Sequence, residues 1–147
     1  MARSIEEIIK AYGMVKLEGE GGYIKFIEEF GQGAGMIYYL MSEDEFSHLH
    51  KLSEDEAWFF LEGDSAEQLT LSSEGIIEST VLDENNRHSL VKKGYYQTTF
   101  IKEKKLGYAL FSTILSPRYK SEMYEHGSFE IGEKYPILKP YICEALK

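Results

Sequence analysis

The chain holds one cysteine, Cys143, among 147 residues. A single thiol excludes an internal disulfide, which fits a reducing compartment. Basic charge is also scarce: 16 Lys and Arg stand against 25 Asp and Glu, a formal charge of -9. The longest basic clusters are Lys92-Lys93 and Lys104-Lys105. A phosphate backbone needs more than this, so nucleic acid is not an expected partner. There is no run of 18 apolar residues and no apolar stretch of signal-peptide length in MARSIEEIIKAYG. Neither a membrane span nor a leader is expected, and the expected location is the cytoplasm.

Hydrophobic residues are plentiful, at 43%, with 11 tyrosines. A chain of this length buries about 70% of its unfolded surface, enough for a substantial core. One domain over residues 1–147 is the expectation. Tyrosine pairs an apolar ring with a polar tip, which suits a wet pocket or an interface.

Ser4 and Glu7 have capping-box spacing, and Ile5, Ile8, Ile9 and Tyr12 form one helical stripe that Gly13 can end. A helix over 4–12 follows. Beyond it the period becomes two. Strands are expected at Tyr23–Ile27, Met36–Met41, Phe46–His50, Ala57–Leu61, Gln68–Leu71, Ile76–Leu82, Ser89–Val91, Gln97–Ile101 and Leu106–Leu115. Short strands about ten residues apart, divided by turns such as GQGAG and DENN, indicate an all-β sandwich or barrel. The unbroken apolar run AWFFL predicts a strand buried on both faces. After Pro117 the strand pattern stops, and a short helix is expected after Pro140.

The stretch SHLHKLSEDEAWFFLEG, residues 47–63, concentrates the chemistry. On a regular strand His48 and His50 share a face. Glu56, across a turn, can join them as a first shell for a divalent transition metal. The same spacing also suits two pocket or surface histidines without metal. Strand parity adds Tyr38, Trp58 and Gln97 to a mixed aromatic and polar lining. Phe60 and Trp58 can equally fill the core. Glu20-Gly21-Gly22-Tyr23 reads as a tight turn into the first strand or a close backbone approach. GQGAG lacks the strand–loop–helix context of a phosphate loop, so it reads as a hairpin. His88 and His126 are expected at the surface. Arg118 suits a salt bridge or an anionic ligand.

His48, His50, Glu56 and Gly63 together resemble the first metal motif of a cupin. EGGYI, IYYLM, SHLHKLSEDEAWFFLEGD and VKKGYYQT, in this order, resemble the cupin family of the domain-of-unknown-function 985 type over roughly residues 10–130. The resemblance implies a double-stranded β-helix, or jelly-roll barrel, with short N- and C-terminal helices. It also implies a pocket inside the barrel and a homodimer. Gln97 stands where cupins supply a further histidine, Tyr96 replaces a tryptophan, and Glu18 replaces a histidine before Glu-Gly-Gly. Three functions follow as expectations. The first is a small-molecule site with isomerase-like or epimerase-like chemistry on a sugar or nucleotide sugar. There His50 or Glu56 would be the base and Tyr38 or Tyr23 the acid, with Glu20, Tyr23, Trp58 and Gln97 holding ligand. The second is a metal-dependent cupin with His48, His50, Glu56 and Gln97 as ligands. The third is a non-catalytic ligand sensor.

Overall fold

The computed structural model describes residues 3–146. Helix α1, Ile5–Tyr12, starts on the reciprocal Ser4–Glu7 capping box and ends on Gly13 in the left-handed conformation. Eleven strands then run antiparallel in two sheets. They are β1 (Val15–Lys16), β2 (Tyr23–Phe30), β3 (Ala34–Met41), β4 (Ser47–Leu52), β5 (Glu56–Gly63) and β6 (Ala66–Leu71). The rest are β7 (Ile77–Leu82), β8 (His88–Val91), β9 (Tyr96–Ile101), β10 (Ala109–Leu115) and β11 (Tyr124–His126). One sheet has the order β1-β2-β3-β10-β5-β8 and the other β11-β4-β9-β6-β7. Consecutive strands β3 and β4, β4 and β5, and β5 and β6 alternate between the sheets, as in a two-sheet barrel.

All nine expected strands are present, within a few residues of their expected ends. Two were not anticipated. β1 is only two residues long, and β11 lies in a polar segment whose pairing with β4 its composition does not announce. The chain end is helical as expected, but in several short pieces that begin before Pro140. Helix α2 spans Phe129–Lys134, before the prolines, and Ser128 caps it. Pro136–Tyr141 and Glu144–Leu146 are 3₁₀ turns. Pro140 lies inside the first of these, which loses less to its missing N–H than a longer α-helix would.

The run AWFFL is also corrected. Trp58 and Phe60 are buried, whereas Phe59 and Leu61 are 39% and 40% exposed. β5 therefore has an inner and an outer face, as expected where the outer side of an antiparallel sheet meets water. Its inner aromatics join Tyr39, Met41 and Phe111 in the core between the sheets. Outside the barrel, α1 sets Ile8 against Leu40, Tyr108 and Leu110. The C-terminal turns set Leu138 and Ile142 against Leu49, Leu69 and Leu71 on the second sheet. Both sheets thus bury part of their outer faces under the chain's two ends. The core fills one part of the barrel and leaves the other open.

No helix among the described residues is long and apolar enough to cross a membrane.

Candidate functional site in the barrel mouth

The open part is a cavity of about 290 Å³. β2 and β3 supply Ile24, Phe26, Ile37 and Tyr39, and β4 supplies Ser47, His50 and Leu52. Glu56, Trp58 and Thr113 come from β5 and β10, while Arg118, Tyr119 and Tyr124 close it from the segment after β10. Its walls are mostly apolar and its polar groups few, which is the composition of a small-ligand site.

Glu56 is the deeper of the two acids that line the cavity. It is 8% exposed, and its Oε1 accepts from Trp58 Nε1 at 3.2 Å and from Gln97 Nε2 at 3.1 Å. Burial pushes the carboxyl up to about 7, while hydrogen bonds from Gln97, Thr113 and Trp58 pull the other way. Burial also raises Glu20, at the rim, above the usual carboxylate range.

His50 is buried beside this acid-bearing wall. Its Nδ1 lies 2.7 Å from the carbonyl oxygen of His48. A carbonyl only accepts, so Nδ1 carries the proton and Nε2 keeps its lone pair. Burial lowers the imidazole to about 4, so it is neutral near pH 7. Tyr124 stacks on it with ring centroids 4.8 Å apart and an interplanar angle of 11°. The Tyr124 hydroxyl is buried without a hydrogen-bond partner, and burial raises it far above an ordinary phenol.

His48 and His50 do not share a face. The β4–β9 pairing shifts register between Ser47 and His50, so three residues of β4 match two of β9. The bulge brings Ser47 and His50, three apart, into the cavity and turns Leu49 to the outer core. His48 instead meets the 17–22 loop. Its backbone N–H donates to the Glu20 carbonyl at 3.1 Å, and its Nδ1 lies 3.5 Å from the Gly19 carbonyl. The loop sits tightly on β4. A Cβ on Gly21 would fall 1.7 Å from the Phe46 carbonyl oxygen, and φ there is +86°. The Gly21 carbonyl in turn accepts from the Tyr39 hydroxyl at 2.8 Å.

Tyr38 lies on the outer face, stacked on Tyr12 of α1 at 4.8 Å. Tyr23 packs against the same helix-covered cluster. Their neighbours Tyr39 and Ile24 face the cavity. Parity correctly groups Tyr38 with Leu40, and α1 covers that face. Gln97 is fully buried behind Glu56 and does not line the cavity. Phe60 belongs to the core, and Trp58 both packs in the core and lines the cavity. His88 is exposed as expected, whereas His126 is partly buried and pairs with His50 across β11–β4. Tyr124 and Thr113 were missed. Thr113 is readable from β10 parity, but Tyr124 sits in a segment without periodicity.

The cupin motif implies a metal, which needs at least three donors converging on one point. Among the described residues no three His, Cys, Asp or Glu side chains gather as a group able to hold an ion. His48 points to the loop, and Gln97 turns its amide nitrogen to Glu56. The four expected ligands are thus not arranged as a first shell.

Comparison with curated proteins finds no match. A family model described as "Cupin superfamily (DUF985)" matches residues 6–127. Among solved structures, a hypothetical protein from Leishmania major superposes with a TM-score of 0.87 at 21% identity, covering 97% of this chain and 100% of its own. A Shewanella oneidensis protein gives 0.84 at 23% identity, covering 96% and 98%. Oxalate decarboxylase from Bacillus subtilis gives 0.59 at 16% identity, over 75% of this chain and 28% of its own. At these identities the likeness is one of fold, the barrel with short terminal helices.

Proposed function

Because the chain belongs to the cupin superfamily (DUF985), we propose that its cavity is a small-molecule site for proton transfer at carbon, with Glu56 as the base. The substrate class is a sugar or the sugar part of a nucleotide sugar. At about 290 Å³ the cavity is at the small end of ligand pockets, which favours a monosaccharide-sized moiety inside and any nucleotide outside.

One observation carries this reading: a buried carboxyl held near 7 inside the cavity, where both its forms are populated at neutral pH. The carboxylate takes a proton from carbon next to a carbonyl. The C–H bond breaks, an O–H bond forms on Glu56, and the electron pair moves to the carbonyl oxygen. The unpartnered Tyr124 hydroxyl supplies a hydrogen bond to that oxygen as it gains charge. Neutral His50 offers Nε2 to a sugar hydroxyl. Glu56 then gives the proton to the former carbonyl carbon. The hydroxyl on the carbon it came from passes its own proton, through His50 Nε2, to the former carbonyl oxygen, so the carbonyl moves by one carbon and an isomer forms. Tyr124 thus takes the part first expected of Tyr38 or Tyr23. The metal-dependent reading through His48, His50, Glu56 and Gln97 is not carried further, because these side chains do not converge. The homodimer implied by the resemblance is part of the proposal, and sedimentation velocity decides it.

The test is deuterium wash-in at carbon for sugars and nucleotide sugars that raise the melting temperature. Exchange in wild type, lowered at least about 100-fold in Glu56→Gln, supports the proposal. Saturable binding with no exchange for any bound sugar leaves a binding module and ends the catalytic reading.

A further inference from the structure

Arg118 is the only arginine or lysine among the described residues lining the cavity. Its backbone is seated closely. Its N–H donates to the Gly33 carbonyl at 2.7 Å, and a Cβ on Gly35 would fall 2.6 Å from Arg118 Cβ and 3.2 Å from its Cα. Gly35 has no positive φ to explain a glycine, so the missing side chain is what lets the 118 segment cross β3. The guanidinium lies over the Phe26 ring, 4.2 Å from its centroid. That stacking orients the planar fork without using its N–H groups.

A guanidinium has five N–H donors. Here one nitrogen, Nη1, meets Glu29 Oε1 at 3.3 Å, and the two side chains are 46% and 51% exposed. An exposed pair of this kind contributes little, so a better acceptor can displace it. β10 lies between β3 and β5, and Leu115 faces Gly35 on one side and Glu56 on the other. Gly35, on which Arg118 sits, is therefore two strand spacings from Glu56, about 10 Å between backbones. A sugar phosphate or sugar acid can bridge that span.

We infer that Arg118, held by Gly35 and Phe26, is an oxyanion seat at the cavity mouth, and that the ligand carries a phosphoryl or carboxylate group at the end away from Glu56. The inference rests on the cavity being a small-molecule site, but not on proton transfer.

The test uses full-length protein at low ionic strength, where exposed charges are least screened. Inorganic pyrophosphate and malonate serve as probes, followed by calorimetry. Saturable binding of at least one is expected, and the tighter of the two identifies the oxyanion as phosphoryl or carboxylate. Arg118→Gln weakens it about tenfold or more, as loss of a charged hydrogen bond should. Arg118→Lys falls between, lacking the planar fork. Glu29→Gln tightens binding by a few-fold because the competing carboxylate is gone, an effect that a purely structural arginine would not give. No saturable binding of either probe, or equal binding in wild type and Arg118→Gln, overturns the seat. Probe binding is read without turnover. Binding through Arg118 without deuterium exchange therefore removes the acid–base reading and leaves the seat standing, and exchange without probe binding does the reverse.

Discussion

The indole Nε1 of Trp58 donates to Oε1 of Glu56 at 3.2 Å, tying the chain's one tryptophan to the buried acid of the cavity. Trp58 is thereby a built-in reporter of the Glu56 charge. Its fluorescence is expected to titrate with a midpoint near 7, the value to which burial raises the carboxyl. In Glu56→Gln that transition should vanish. A transition that survives the substitution would assign it to another group.

Glu56 and His50 act on stability with opposite signs. The Glu56 carboxyl is higher folded, about 7, than unfolded, 4.5, so its contribution is full below about 4.5 and is lost as pH rises through 7. His50 is lower folded, about 4, than unfolded, 6.5, so its contribution is full above 6.5 and is lost as pH falls through 4. Between about 4.5 and 6.5 the two slopes offset. In urea titrations Glu56→Gln should make stability rise with pH across that window, and His50→Asn should make it fall. A slope of the opposite sign in either variant would contradict the shift of the group that variant retains.

Gly21→Ala should destabilise the fold by more than about 2 kcal/mol. It combines left-handed strain of about 1–3 kcal/mol with a collision against the Phe46 carbonyl. It should also weaken ligand binding, since Gly21 lines the cavity and its carbonyl receives Tyr39. Chemical denaturation beside ligand calorimetry separates the two effects.

Tyr124→Phe should leave stability within about 0.5 kcal/mol of wild type, because the hydroxyl it removes has no protein partner to lose. Deuterium exchange in a bound sugar should drop by about two orders of magnitude, as for a lost oxyanion donor. A variant that is strongly destabilised would show that the hydroxyl serves the fold instead.

His48→Ala should cost about 1 kcal/mol and shift the 17–22 loop, and should move the His50 titration only slightly upward, because burial, the main cause of its lowering, stays while the smaller effect of the His48 charge is lost. The ring contacts the Gly19 carbonyl, and its own backbone carbonyl still receives His50 Nδ1. Imidazole NMR of His50 measures this directly.

What the sequence by itself determined was local. The Ser4–Glu7 box, the Gly13 stop and nine strands follow from spacing and turn signals along the chain, because capping, period and turn chemistry act between near neighbours. His50, Glu56 and Trp58 could be singled out by strand parity and Glu20 by the family resemblance, and all four line the cavity. Tertiary structure decided which face was inner. Tyr38 and Tyr39 have equal claim until α1 covers one side of β3. His48 and His50 share parity until the β4 bulge, a feature of pairing with β9, separates them. Tyr124 and Arg118 reach the cavity from a segment without period, placed by β11 pairing to β4 and by the gap over Gly35. These are contacts between residues far apart in sequence, and period two fixes a strand without saying which side will be dry.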